Sequence, residues 1–406
     1  MTADHALETP DNLDDHIQFL VAFAHTNPTF ETLICASLKT ARKTAEIHLD
    51  RALYTALPWP ETFAEYIMFL RDFACWCPHP DTNPAWARDD GDGQQEVYDR
   101  GCHFFWLIDQ PVGPGGTVIV QNLSWFSHWM IGYASLYGDF LDTPESFSPD
   151  ILNSFISLSP KYAVGDSMVD GKPNCPSGWQ TFNQFFAREL NSGLRPIAKP
   201  EDNRVLVSPA DCAFRRKYEI DAESRIEEIT IKRTHKFATI GQLLDCSPFS
   251  KSFRNGMMLH FFLGPYSYHR YHAPVSGTVR ECRKVHGLTY MGVRLKDNQF
   301  LAQDDAKNGY QFSQSRGVLI LDSVGCNLGD IGLVGVVPVG MCHISSVNFT
   351  TKTGATLTKG EEFGFFAFGG SDIIILLQEQ AGLRLTLPQD YIEYGKMIAA
   401  GHSAGR

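Results

Sequence analysis

No apolar run in this sequence approaches the roughly 18 residues needed to cross a bilayer. An integral membrane segment is therefore not expected. Basic residues are in deficit: 35 Lys and Arg stand against 46 Asp and Glu, giving a net charge of -11. That balance argues against nucleic acid or an anionic membrane surface as the main partner. The chain opens Met1-Thr2-Ala3-Asp4-His5-Ala6-Leu7-Glu8, without the basic and apolar regions of a secretory leader, which points to the cytoplasm. Ten cysteines occur, but they are scattered. Only Cys75-Trp76-Cys77 is close-set, and its spacing fits no zinc pattern, so the thiols read as reduced. The loop Asp89-Asp90-Gly91-Asp92-Gly93 lacks EF-hand spacing and a closing Glu, so no metal site is expected there. Repeats and low-complexity tracts are also missing.

With 406 residues, 43% of them hydrophobic and 20% charged, the chain is long enough for two folded domains. From Leu13 to about Asp72 apolar residues recur at helical spacing. Ile17, Leu20, Val21 and Phe23 fall on one face, as do Phe63, Tyr66, Ile67 and Leu70. Pro58 and Pro60 separate two helices, and Pro60-Glu61-Thr62 suits a first helical turn. Tyr98 to Leu136 is rich in aromatics, and its His103 and His128 read as satisfied histidines of a helical core. Residues 140 to 162 suit one more helix or two short ones. Val164 to Gly178, rich in Gly, Pro, Asp and Ser, marks a boundary. Thr181 to Leu190 is expected to be helical, with Phe182, Phe185 and Phe186 buried.

Beyond Arg204 the pattern changes to short apolar runs separated by Gly, Pro and Asp, the mark of a β-rich domain. Thr239 to Leu244 reads as a helix inserted in it. The fold class is α+β, with a helical domain over 1–165 and a β-rich domain over 178–390. Near its end, Phe368-Gly369-Gly370-Ser371-Asp372 reads as a glycine-rich tight turn between two strands, Phe363 to Phe368 and Ile373 to Leu377. Taken alone, a Gly-Gly-Ser triplet is an ordinary turn.

Four ordered segments place that turn in a larger pattern. They are Phe182 to Leu190 with Arg195-Pro196-Ile197, Ser208-Pro209-Ala210-Asp211, Tyr268-His269-Arg270-Tyr271-His272-Ala273-Pro274, and Lys359-Gly360-Glu361-Glu362 running on to Gly370-Ser371. Together they resemble the phosphatidylserine decarboxylase family, whose members cut themselves at a Gly-Ser bond. The resemblance implies that Asp211, His272 and Ser371 form a self-processing triad. His272 would take the Ser371 proton and Asp211 would orient the imidazole. Ser371 would attack the Gly370 carbonyl, and Ser371 would end as a pyruvoyl cofactor. Fragments 1–370 and 371–406 would stay associated. A pyruvoyl carbonyl condenses with a substrate amine and draws electrons from its α-carbon, so carbon dioxide leaves. His269 or His272 would then return a proton.

The sequence also departs from the family pattern. Asp372 follows the serine where the family often has Thr or Ser, and either slows cleavage by repelling an oxyanion or acts locally as a base. Val339 to Ser346 matches the family's glycine-rich wall only in part, and His343, Ser345 and Ser346 make it more polar. The helical extension and the Gly-Gly-Ser turn resemble the soluble fungal branch that includes L-tryptophan decarboxylases. Three readings follow: decarboxylation of a free, aromatic amino acid such as tryptophan, decarboxylation of phosphatidylserine, or an uncleaved binding homologue without activity.

Overall fold

The computed structural model describes residues 12–87, 93–226, 229, 238–303, 309–341, 346–387 and 391–401. The acidic loop at Asp89, Asp90 and Asp92 lies outside them, as do His343 and Ser345. Helices come first: α1 (Leu13–Thr26), α2 (Pro28–His48), α3 (Arg51–Ala56), α4 (Phe63–Ala74), α5 (Glu96–Trp106), α6 (Ser124–Leu141), α7 (Pro149–Leu158) and the short α8 (Phe182–Phe186).

The expected helical faces are the ones that bury. Ile17 and Leu20 on α1, and Tyr66 and Leu70 on α4, have no exposed surface. Helix α4 starts after Thr62 rather than at Pro60. The Thr62 side chain accepts from Glu65 N–H while the Glu65 carboxylate accepts from Thr62 N–H, a capping box that defines the first turn. The aromatic stretch splits its two histidines. His103 is buried with its ring edge-on to Trp59 and Phe69. His128 is exposed on α6 and bonded to the Ser124 carbonyl, so it is not a core residue. Helix α8 is shorter than the expected Thr181–Leu190, ending at Phe186 although Ala187 and Arg188 beyond it are also buried.

The second half contributes strands β1 (Cys212–Glu219), β2 (Met257–Leu263), β3 (Arg270–His272), β4 (Gly277–Val285), β5 (Val293–Lys296), β6 (Gln299–Ala302), β7 (Arg316–Asp322), β8 (Leu333–Met341), β9 (Val347–Phe349), β10 (Thr356–Leu357), β11 (Glu362–Phe366), β12 (Gly370–Leu377) and β13 (Tyr391–Ile392). Eight of them form one antiparallel sheet in the order β10-β4-β7-β8-β12-β2-β1-β13. A smaller sheet, β3-β11-β9, covers one of its faces.

Side chains alternate across a strand, and β12 shows it cleanly. Ile373, Ile375 and Leu377 enter the core shared with the smaller sheet. Ile374 and Leu376 enter a separate core on the opposite face. The β5–β6 hairpin leaves the sheet to pack on the helices. Phe300 lies edge-on to Trp106, Tyr98 Oη accepts from Ala302 N–H at 2.9 Å, and Asp109 accepts from Val293 N–H at 2.8 Å. A single core therefore runs from the helical half through α8 and the hairpin to Met341 and Phe368.

The helical packing is tight enough to test. A Cβ on Gly132 of α6 would stand 2.5 Å from His16 Cε1, and the His16 ring is fixed by stacking on Trp129. Helix propensity favours alanine by about 1 kcal/mol, whereas overpacking costs about 1–3 kcal/mol. Gly132→Ala should therefore lower stability in urea unfolding. The same change in a His16→Ala background should raise it by up to about 1 kcal/mol.

Candidate active site

The sequence suggests a turn over Phe368 to Asp372, but in the structure the second strand starts at Gly370, three residues before Ile373. Gly370, Ser371 and Asp372 already pair in β12, opposite Met341, Gly340 and Val339 of β8. The turn is Ala367-Phe368-Gly369, and Gly369 has φ 148°, a conformation that suits glycine. Helix α8 anchors it. Phe368 N–H donates to Asn183 Oδ1 at 3.0 Å, and the Phe368 ring meets Phe182 and Phe186 edge-on at 5.1 and 5.3 Å.

Ser371 is paired in the ladder with Leu263 of β2 and is fully buried. Among the described residues its Oγ finds no hydrogen-bond partner. Leaving a buried hydroxyl unpaired costs about 1–3 kcal/mol, so this is a group held back from the usual satisfaction of polar atoms.

His272 has two partners, and neither belongs to the expected triad. Nδ1 lies 2.9 Å from the Gly360 carbonyl, and Nε2 lies 3.2 Å from Tyr268 Oη. A carbonyl only accepts, so Nδ1 carries the proton and Nε2 holds the lone pair. The ring lies flat on Tyr394 at 3.8 Å. Burial pulls its pKa down to about 4, which keeps it neutral and basic at Nε2 near pH 7. The Gly360 carbonyl is itself held in place. The neighbouring Lys359 Nζ donates to the carbonyls of Lys199 and Val205 at 2.7 and 2.8 Å, and also to that of Asp202.

Asp211 does not orient the imidazole directly. It accepts from Arg195 Nη2 at 2.8 Å and from Tyr394 N–H at 2.8 Å. A buried carboxylate needs such a cation, and Arg195 supplies it. Burial pushes its pKa up, and Arg195 opposes that. Asp211 thus reaches His272 through Tyr394, whose backbone it holds and whose ring His272 stacks on. A recess of about 570 Å³ opens beside this group, lined by Arg188, Arg195, Asp211, Tyr266, Tyr268 and Tyr391 among others.

His269 is fully buried, stacked on Phe186 at 3.9 Å, and neither ring nitrogen makes a hydrogen bond of normal geometry among the described residues. Burial, with Arg188 adding to it, draws its pKa down to about 3. Phe186 links His269 to the Phe368 turn, because both rings pack on it.

Asp372 faces away from Ser371. Its Oδ2 accepts from Tyr310 Oη at 2.6 Å and lies 3.2 Å from His260 Nε2. All three side chains are buried on the sheet face opposite the Ser371 hydroxyl. So the Asp372 carboxylate is directed away from that hydroxyl and serves it neither as a neighbouring repulsion nor as a local base. Sequence reasoning missed His260 and Tyr310. The usable signal was a single polar residue, His260, in the otherwise apolar run Met257-Met258-Leu259-His260-Phe261-Phe262-Leu263.

Comparison with known proteins bears on this arrangement. Residues 182–406 match the family model described as phosphatidylserine decarboxylase, which is more than half of the chain. The chain belongs to the phosphatidylserine decarboxylase family. It is 32% identical over 203 residues to phosphatidylserine decarboxylase proenzyme 2 of Oryza sativa, covering 50% of this chain but 30% of that one. Decarboxylase iboD of Amanita muscaria is 27% identical over 272 residues, covering 64% of this chain and 76% of that one. L-tryptophan decarboxylase of Psilocybe cubensis is 27% identical over 231 residues, covering 54% and 51%. The chain therefore spans under a third of the rice relative's length. All four family-like segments lie within the matched region, beginning with α8. Helices α1 to α7 precede it. No described helix is long and apolar enough to cross a membrane.

The buried histidines set an acid limit. Unfolded His272 takes a proton near pH 6.5, but folded His272 does so only near about 4. Its contribution to stability is therefore complete above pH 6.5 and is lost as pH falls from 6.5 through 4. At about 1.4 kcal/mol per pKa unit, the loss is at most roughly 3.5 kcal/mol. Urea midpoints should fall between pH 6.5 and pH 4, and His272→Gln should flatten that slope.

Proposed function

We propose that this protein is a self-processing, pyruvoyl-dependent decarboxylase that cuts its chain between Gly370 and Ser371 and acts on a free amino acid, aromatic in preference. The observation that carries the reading is the buried, unpaired Ser371 Oγ at the start of β12, directly after the Gly369 turn. In this reading Ser371 Oγ attacks the Gly370 carbonyl carbon, and the C–N bond breaks to leave an ester and a free amine. Loss of the Ser371 Cα proton expels the Gly370 carboxylate. Water then replaces the nitrogen, which departs as ammonia. The buried surroundings of Ser371 fit such a group, because they keep bulk water from it.

When formed, the pyruvoyl carbonyl supplies the electron sink that decarboxylation needs. The chain supplies the rest. His272 Nε2 is assigned as base, with the Gly360 carbonyl fixing its tautomer and Tyr268 Oη lying against it. Asp211 and Arg195 position His272 through Tyr394. His269, neutral and dry at rest, is assigned as the group that takes up the proton lost by the substrate ammonium and returns it, as imidazolium, to the product carbon. The 371–406 fragment stays bound, since β12 is hydrogen-bonded on both sides in the sheet. A role in small-molecule metabolism is supported by the relative named L-tryptophan decarboxylase.

The denatured intact mass tests cleavage first. Wild-type protein should give two fragments meeting at Gly370 in place of one species of 45.4 kDa, and Ser371→Ala should stay whole. One uncleaved species in both would leave a binding protein as the reading.

Substrate class is tested separately, because the rice relative is named for phosphatidylserine. Cleaved enzyme should release carbon dioxide from tryptophan, phenylalanine or tyrosine at least roughly tenfold faster than from phosphatidylserine in vesicles. It should also remain in the lower layer of a liposome flotation gradient. The reverse order with flotation would make it a lipid enzyme.

A further inference from the structure

The face of β12 opposite the Ser371 hydroxyl carries a second constellation that the triad does not use. Asp372, His260 and Tyr310 share one carboxylate oxygen, and Gln311 Nε2 approaches His260 Nε2 at 3.4 Å. Every one of these side chains is buried. Three atoms in the group still lack a hydrogen bond among the described residues: Asp372 Oδ1, His260 Nδ1 and Gln311 Oε1. Two of the three are pure acceptors, so the group is short of donors. Buried acceptors left this way cost about 1–3 kcal/mol each unless something donates to them.

An apolar cavity of about 40 Å³ lies on the far side of Phe262 from the constellation, whose own side chains do not line it. Tyr98 and Cys102 of α5, Met291, Phe262, Met341 and Gly369 are among its walls. Phe262 is the ladder partner of Asp372, and Met341 is the ladder partner of Gly370. Directly opposed residues on neighbouring strands project to the same face, about 5 Å apart. The carboxylate and the cavity wall are therefore immediate neighbours. In the continuous chain the space holds only about three waters, at 10–15 Å³ each, too little for an aromatic ring. Its wall includes Gly369, the segment that cutting at Gly370 would release, so cleavage enlarges it on the side nearest residue 371.

We propose that this recess receives the substrate side chain, with an apolar body against α5 and a terminal N–H or O–H donated to Asp372. The inference rests on the proposed cleavage and adds a substrate class to it: an amino acid whose aromatic side chain ends in a hydrogen-bond donor, as indole and phenol do. Tyr310 and His260 are positioning residues that hold the carboxylate. Helix α5, outside the matched family region, then becomes a specificity element.

The test uses the full, processed chain. Denatured mass first reports cleavage, and mass gained with hydroxylamine reports the carbonyl, both independent of turnover. Tyramine, tryptamine and phenethylamine are then offered with a mild hydride reductant, and covalent capture is read as mass added to the short fragment. Tyramine and tryptamine should be captured roughly tenfold or more in preference to phenethylamine. Asp372→Asn should reduce that preference at least threefold. Tyr310→Phe should do the same, and it stands in if the first variant fails to process. Cys102→Trp should lower the ratio of aromatic amine to hydroxylamine captured. A cleaved, hydroxylamine-reactive protein that takes the three amines equally, or keeps its preference in all variants, overturns this inference alone. A wild-type chain that is neither cut nor reactive overturns the proposed function, and this inference with it.

Discussion

The position of β12 in the middle of an eight-stranded sheet is the constraint on which the rest of the structure depends. It is hydrogen-bonded along its length to β8 on one side and β2 on the other. A slip of one residue would exchange every side chain between faces. Ser371 and Asp372, adjacent in sequence, are thereby sent to opposite sides of one sheet. One enters the space shared with the smaller sheet, and the other enters a polar cluster with His260 and Tyr310. Two chemically different sites are built from two consecutive residues because the period of a strand is two. The apolar run Ile373 to Leu377 secures the register, since its alternate members fill two separate cores.

Around that strand, buried polar groups are held by backbone as much as by side chains. The Gly360 carbonyl fixes the His272 tautomer, and Lys359, bonded to three carbonyls, fixes Gly360. Asp211 is kept by Arg195 and by Tyr394 N–H. The histidines of the site are neutral because burial, with Arg188 and Arg270 adding to it, outweighs their backbone hydrogen bonds. A neutral imidazole keeps a free lone pair and is the form that removes a proton, so dryness here serves the chemistry proposed for Ser371. The cost is exposure to acid, because each histidine resists the proton that the unfolded chain accepts.

The helical half packs on the other side of the sheet near Phe262 and Met341. Phe368 sits in a nest of aromatic rings from α6 and α8, and the β5–β6 hairpin reaches across to α5. Those contacts merge the two halves into one core near the Gly369 turn. The helices therefore bound the site as well as stabilising the chain, which is the basis for giving α5 a part in side-chain selection.

Much of this was readable in the sequence. Local periodicity determined the helices of the first half and the change to strands after Arg204, because burying an apolar face requires the same spacing wherever the face is buried. The four motifs in order determined the family. They also brought forward Asp211, His269, His272 and Ser371, residues whose types suit acid–base and nucleophilic work. Tertiary structure alone decided what these groups touch. Nothing local in Ser208-Pro209-Ala210-Asp211 pairs the carboxylate with Arg195 rather than with His272, and nothing in Tyr268 to Pro274 turns His272 toward Gly360, which is 88 residues away. The facing of Asp372 away from Ser371, and its meeting with His260 and Tyr310, depend on which strands lie beside β12. Sequence determines what a side chain is able to do, but partners distant along the chain converge only once the sheet register is set, and that register is a property of the whole fold.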